Sequence, residues 1–330
     1  MDERLSLTIV TGFLGSGKTT LVRRYLATPG GAGTGVIVNE FGQVGLDHRL
    51  FVHAAEHVDV VDDGCLCCRR RADVGRALHD LVRQARAERG ASFKRAIIET
   101  SGLADPAPLV ATLARDPWLK AHVKLACVVT VVDAVAGLHN IERHEEARRQ
   151  IALADTVVIT KRDLRAAVAP EVLDAALRKM APDVHLVDAQ DPEFDPARVF
   201  GGEGLQRRAP DIHVAEEGTA HDGGVTSFVL PMTRRIDWPV FTVWLSALLY
   251  AHGDRILRVK GLLATSSSRE PLVIHGVQHV MHPPTHLARA EADQPGFLVF
   301  ITKGIGKAEI AGSLEQFLAL ALAPEQARPH

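Results

Sequence analysis

Gly12-Phe13-Leu14-Gly15-Ser16-Gly17-Lys18-Thr19 carries glycine, lysine and threonine at the spacing of a phosphate-binding loop. The glycines let backbone N–H groups turn towards one point, the lysine can reach the outer phosphates, and the threonine hydroxyl can join a Mg²⁺ shell. The expected phosphate contacts are therefore Gly12, Gly15, Ser16, Gly17, Lys18, Thr19 and Thr20. A second cluster, Gly64-Cys65-Leu66-Cys67-Cys68, presents three thiols and runs straight into Arg69, Arg70 and Arg71. Positive charge beside a thiol favours the thiolate, which is the metal-binding and nucleophilic form. No second cysteine pair is present to close a four-ligand structural zinc cage. Three readings stand: an open shell for a metal that must leave again, a redox cluster, or a structural clip. The fourth cysteine, Cys127, sits in an apolar run and reads as core.

Two further segments fit a nucleotide site. Ile97-Ile98-Glu99-Thr100-Ser101-Gly102 puts an acid at the end of an apolar run. Glu99 there can orient Mg²⁺ or its waters, and the Gly102 N–H can meet a γ-phosphate. The usual acid in such a place is Asp, so Glu99 is a variant. Thr160-Lys161-Arg162-Asp163 follows the apolar Val157-Val158-Ile159. The Asp163 carboxylate can accept two hydrogen bonds from guanine N–H groups, and adenine lacks that pair of donors. Lys161 can lie over the base. These residues favour GTP over ATP, with Thr160 standing where many GTPases have Asn.

The elements that position these residues alternate. Leu5–Thr11 reads as a buried strand and Thr19–Ala27 as a helix, which is the setting a phosphate loop requires. Strands are expected at 35–38, 57–61, 94–98, 123–132, 155–160 and 184–187. Helices are expected at 71–88, from Pro106, and at 170–180. Such alternation implies an α/β fold: a P-loop NTPase with a doubly wound, mostly parallel sheet. From Asp188 to Gly224 the texture turns to Asp, Pro, Gly and Glu, with scattered His213 and His221, and reads as a connector. The expected organisation is a first domain over 1–190, a connector over 191–224, and a smaller α+β domain over 225–330 with no evident catalytic cluster. In that domain strands are expected at 227–230, 256–263, 272–277 and 297–302, with helices at 238–251 and 307–320.

Ligands of doubly wound sheets bind beyond the carboxyl ends of the strands. The phosphate loop follows one strand, Asn39-Glu40-Phe41-Gly42 the next, and Asp62-Asp63-Gly64-Cys65 the third. If these strands are parallel, nucleotide and thiols share one edge. Glu40 could then sense the γ-phosphate and contribute to the metal site.

The 330 residues are 46% apolar with a net charge of −2. That balance argues against nucleic acid or a membrane surface as the main partner. The start at MDERLSL reads as leaving no room for a signal peptide, so a cytoplasmic location is expected.

GFLGSGKTT, NEFG, GCLCC, ETSGLADP and TKRD, in this order, resemble the CobW-like GTPases, a group of metal chaperones and metalloprotein activators. Arg258-Val-Lys-Gly261 and His275-Gly-Val-Gln-His279 resemble that family's C-terminal domain. The resemblance implies a GTPase; Thr19 and Glu99 are expected to organise its Mg²⁺, and because no residue stands out as positioning the attacking water, slow intrinsic turnover is expected. The resemblance also implies a transition metal held by Cys65, Cys67 and Cys68 with help from Glu40, and handed to a client protein. Zn²⁺ is the commonest cargo implied; Co²⁺ and Fe²⁺ belong to relatives serving cobalamin synthesis or nitrile hydratase. Two departures stand out: Gln43 replaces a frequent Glu after NEFG, and no His-rich tract is present. Rival readings are a small-molecule P-loop kinase, a zinc-stabilised interaction module and a thiol redox switch. The physiological metal, the client and any homo-oligomer stay open.

Overall fold

The computed structural model describes residues 4–38, 58–60, 71–87, 94–164, 168–200, 225–268, 270–287 and 296–322. The chain divides into two compact units, Met1–His213 and Val214–His330. Among the described residues the first has seven strands: β1 (Leu5–Thr11), β2 (Thr34–Val38), β3 (Val58–Val60), β4 (Arg95–Glu99), β5 (Val123–Asp133), β6 (Thr156–Thr160) and β7 (His185–Asp188). Their order is β3-β2-β4-β1-β5-β6-β7, and every neighbouring pair is parallel. The expected parallel sheet is therefore present. β1 lies between β4 and β5, and Leu7, Ile9 and Val10 are wholly buried, as a strand covered on both faces requires.

Register places the strand ends together. Val10 pairs with Glu99, Glu99 with Val38, and Val38 with Val60. One row thus crosses the carboxyl ends of β1, β4, β2 and β3. Three strand spacings separate β1 from β3, about 14 Å at ~4.8 Å each.

Ten α-helices and a short 3₁₀ helix (Pro29–Gly31) are present among the described residues. The α-helices of the first unit are α1 (Lys18–Leu26), α2 (Arg71–Ala87), α3 (Ala107–Arg115), α4 (Pro117–His122), α5 (Gly137–Arg143), α6 (Glu145–Ala152), α7 (Pro170–Met180) and α8 (Pro196–Phe200). α1 buries Leu21, Val22, Tyr25 and Leu26 against the sheet, in a core shared with Val10, Ile97, Cys127 and Val129. Cys127 is buried, as its apolar run suggests. α8 lies inside the stretch expected to be a connector. It packs on α1, with the Phe200 ring stacked on Tyr25 at 4.4 Å. Its polar and proline-rich surroundings hid the short apolar pair Val199-Phe200 that this packing uses.

α2 is anchored by a side-chain pair. His79 Nε2 lies 2.8 Å from Asp116 Oδ2, and Asp116 Oδ1 caps α4 by accepting from the Trp118 and Leu119 N–H groups. The His79 hydrogen bond and then the Leu119 N–H hold this carboxyl below the usual Asp range.

The second unit holds β8 (Val225–Met232), α9 (Trp238–His252), β9 (Ile256–Leu263), β10 (Leu272–Val277), β11 (Val280–Met281), β12 (Thr285–His286), β13 (Gly296–Lys303) and α10 (Lys307–Leu322). The sheet runs β11-β10-β9-β13-β8 with β12 also on β10, all antiparallel. Phe228, Leu230, Val259, Ile274, Leu298 and Phe300 join Phe241, Trp244 and Leu245 of α9 and Ile310 and Leu314 of α10 in one core. The two C-terminal motifs are cross-strand partners, with His275 opposite Lys260 and Val277 opposite Arg258. No helix among the described residues is long and apolar enough to cross a membrane.

Phe200→Ala removes a buried ring from the first unit and is expected to destabilise the protein by about 3–5 kcal/mol. Urea unfolding followed by circular dichroism measures this.

Candidate nucleotide site

The phosphate loop leaves the end of β1 and enters α1 at Lys18. Its shape needs glycine at defined points. Gly15 and Gly17 have φ of 71° and 97°. Gly12 has φ of 141°, and an added Cβ would lie 2.3 Å from the Val131 carbonyl oxygen. That contact is far inside van der Waals range, so the loop can press against β5 only with glycine there.

The loop carbonyls are held by side chains from outside and from α1. Lys18 Nζ donates to Gly12 O at 2.9 Å and Phe13 O at 3.2 Å. Lys161 Nζ donates to Gly15 O at 2.9 Å and pairs with Asp133. Thr160 Oγ1 donates to Ser16 O at 2.7 Å. Lys161 adopts φ of 61°, an uncommon conformation for a side-chain-bearing residue, at the turn leaving β6. Asp133, at the end of β5, also receives the Val135 and Ala136 N–H groups. Thr160 thus uses its hydroxyl to tie the β6 end to the phosphate loop. Asp163 is exposed two residues beyond Lys161.

Thr19 Oγ1 donates to Glu99 Oε1 at 2.5 Å, and Glu99 is wholly buried at the end of β4. A hydroxyl and a carboxylate side by side make an oxygen donor set suited to a hard divalent cation. Thr20 faces solvent on α1. Gly102 lies against the phosphate loop: a Cβ there would come within 2.7 Å of the Leu14 backbone nitrogen.

Lys18, Thr19, Glu99, Gly102, Thr160 and Lys161 are thus linked to the phosphate loop by direct contacts. Cys65, Cys67, Cys68 and Glu40 lie outside the described residues, as do Gln43, His213 and His221. Among the described residues no group of three or more His, Cys, Asp or Glu side chains could hold a metal. Two residues of the site were missed in the sequence. Asp133 had a signal, an acid ending a long apolar strand. Gln150, buried in α6 with its amide on Gly102 O and Ala104 O, had none.

Residues 6–188 match the family model described as CobW/HypB/UreG, nucleotide-binding domain. Residues 225–318 match the cobalamin synthesis protein cobW C-terminal domain. The chain belongs to the CobW/HypB/UreG family. It is 31% identical to the zinc chaperone CobW of Pseudomonas aeruginosa, over 96% of this chain and 92% of that one. It is 29% identical to the zinc chaperone YjiA of Escherichia coli, over 84% of this chain and 87% of that one. The crystal structure of Zn(II)-bound YjiA GTPase from E. coli has the same fold, with a TM-score of 0.67 at 23% identity over 95% of this chain and 99% of that one. Both halves of this chain therefore carry CobW-family domains, and the first of them is a nucleotide-binding domain.

Gly12→Ala is expected to push the loop off β5, lowering nucleotide affinity at least tenfold and stability by about 1–3 kcal/mol. Isothermal titration with guanine nucleotides and thermal unfolding test the two effects together.

Proposed function

We propose that this chain is a GTP-hydrolysing metallochaperone, which binds a transition metal, Zn²⁺ in the first instance, and delivers it to a client protein. Family membership and relatives named as zinc chaperones support the class. A further relative, the zinc-regulated GTPase metalloprotein activator 1 of Schizosaccharomyces pombe, is 35% identical over 54% of this chain and 44% of that one. The observation that carries the coupling of metal to nucleotide is the row Val10–Glu99–Val38–Val60. It sets the ends of β2 and β3, after which Glu40 and the cysteines follow, on the phosphate-loop edge of the sheet. Cys65 comes five residues after Val60, a length of chain that reaches at most ~17 Å.

In this reading the loop amides and Lys18 hold the phosphates, with Lys18 exchanging its contacts on Gly12 O and Phe13 O for phosphate oxygens. Thr19 and Glu99 would hold Mg²⁺, which when bound supplies charge neutralisation on the phosphate oxygens. Asp163 reads guanine, while Thr160 and Lys161 hold the loop in place. Cys65, Cys67 and Cys68 hold the cargo as thiolates, with Glu40 as a further oxygen ligand or γ-phosphate sensor. GTP orders the Glu40 segment and tightens the metal site, and hydrolysis loosens it. Linkage requires metal to tighten GTP binding by the same factor. The protein acts in the cytoplasm.

A metal-competition titration with and without a non-hydrolysable GTP analogue tests this. Zinc affinity should rise about tenfold with the analogue, a coupling of ~1.4 kcal/mol. The effect should vanish when Cys65, Cys67 and Cys68 are all changed to Ser. Equal zinc affinity with analogue, with GDP and without nucleotide would end the coupling mechanism. Separately, Lys18→Ala should weaken GTP binding by about 10- to 100-fold through loss of charge-assisted bonds, read by fluorescent-nucleotide titration.

A further inference from the structure

The helix α6 touches both loops of the nucleotide site. His144 at its N-terminal end stacks on Phe13 of the phosphate loop, with ring centroids 4.6 Å apart. Further along, Gln150 is wholly buried and its Nε2 donates to Gly102 O at 3.1 Å and Ala104 O at 3.0 Å. Beside it, Arg149 Nη1 donates to Asp105 Oδ2 at 3.0 Å. Gln150 is fixed from behind as well, because its own carbonyl accepts Thr130 Oγ1 of β5 at 2.7 Å.

These bonds fall on a defined turn. The Ala104 N–H donates to Ser101 O at 3.1 Å, so Gly102 and Leu103 are the central residues of a four-residue turn. Gln150 holds the carbonyl of the peptide between them. A trans peptide points its N–H opposite its C=O. The Leu103 N–H is therefore turned away from Gln150, at a residue that is exposed. Gly102 meanwhile lies against the Leu14 backbone of the phosphate loop. Ser16 Oγ and Gln150 Oε1, both buried and without a hydrogen-bond partner among the described residues, line one cavity of about 20 Å³. That is room for a single water between the phosphate loop and α6.

We propose that Gln150 is a positioning residue for the terminal phosphate: it fixes the central peptide of the Ser101–Ala104 turn so that the turn's N–H groups meet a triphosphate and not a diphosphate. The proposal rests on the GTP reading above and adds to it the residue that distinguishes GTP from GDP. Gln150 does not touch nucleotide. Its effect is confined to the third phosphate, and a merely structural role would lower affinity for both nucleotides alike.

The test uses the full chain carrying Gln150→Met, which keeps the volume and removes the donors, and Gln150→Glu, which sets a carboxyl group against two carbonyls. Affinity for a non-hydrolysable GTP analogue should fall about tenfold while affinity for GDP stays within twofold. Equal losses for both nucleotides, or no loss for either, overturn the proposal. If the variants fail to fold, hydrogen exchange on the native chain decides. The Leu103 amide should be protected by the GTP analogue and not by GDP, and equal protection overturns the proposal. A native chain that binds neither nucleotide would instead remove the GTP reading, and this proposal with it.

Discussion

A loop that aims its N–H groups at a ligand must put its carbonyls somewhere. In this protein that constraint organises the whole nucleotide-binding domain. The carbonyls of Gly12, Phe13, Gly15 and Ser16 accept from Lys18, Lys161 and Thr160. Two of these donors come from the end of β6, which lies two strands away from β1. These bonds between protein groups restrict the loop, and such restriction reduces the conformational entropy lost on binding. Asp133 extends the arrangement by pairing with Lys161 and capping the turn after β5, which fixes the lysine over the loop.

Much of this was legible in the residues. The glycine, lysine and threonine spacing demanded a strand before it and a helix after it, and β1 and α1 supply them. Long apolar runs such as Val123–Val132 announced strands covered on both faces. Glu99, Thr160 and Lys161 were nominated because each ends such a run. What was not legible depends on contacts between distant segments. Gln150 looks like any polar residue of a charged helix, and only the fold brings its amide to the turn after Glu99. The helix Pro196–Phe200 was hidden because a five-residue element has too few positions to show a period. Thr160 stands where many GTPases have Asn. In the fold its hydroxyl supplies the tether to Ser16.

In the second unit the two recognisable motifs pair across β9 and β10, so they form one feature on one sheet. Glycine explains part of the pattern. A Cβ on Gly261 would lie 2.7 Å from the Phe297 carbonyl, and one on Gly276 would lie 2.4 Å from the Met281 sulfur. Gly261 is needed for the close approach of the β13 backbone, while at Gly276 a side chain would first displace the Met281 and Val259 side chains.

The strand order has a consequence for how the protein is made. β4 is wedged between β1 and β2, although β2 and β3 precede it along the chain. Residues that meet around the phosphate loop come from positions as far apart as 12 and 161. During synthesis a ribosome-bound fragment that ends before β6 has the Lys18 donor but lacks the Thr160 and Lys161 donors to the Ser16 and Gly15 carbonyls. The full set of loop contacts is thus complete only once the end of β6 is in place. A ligand that binds the completed site would then stabilise the assembled α/β unit by mass action.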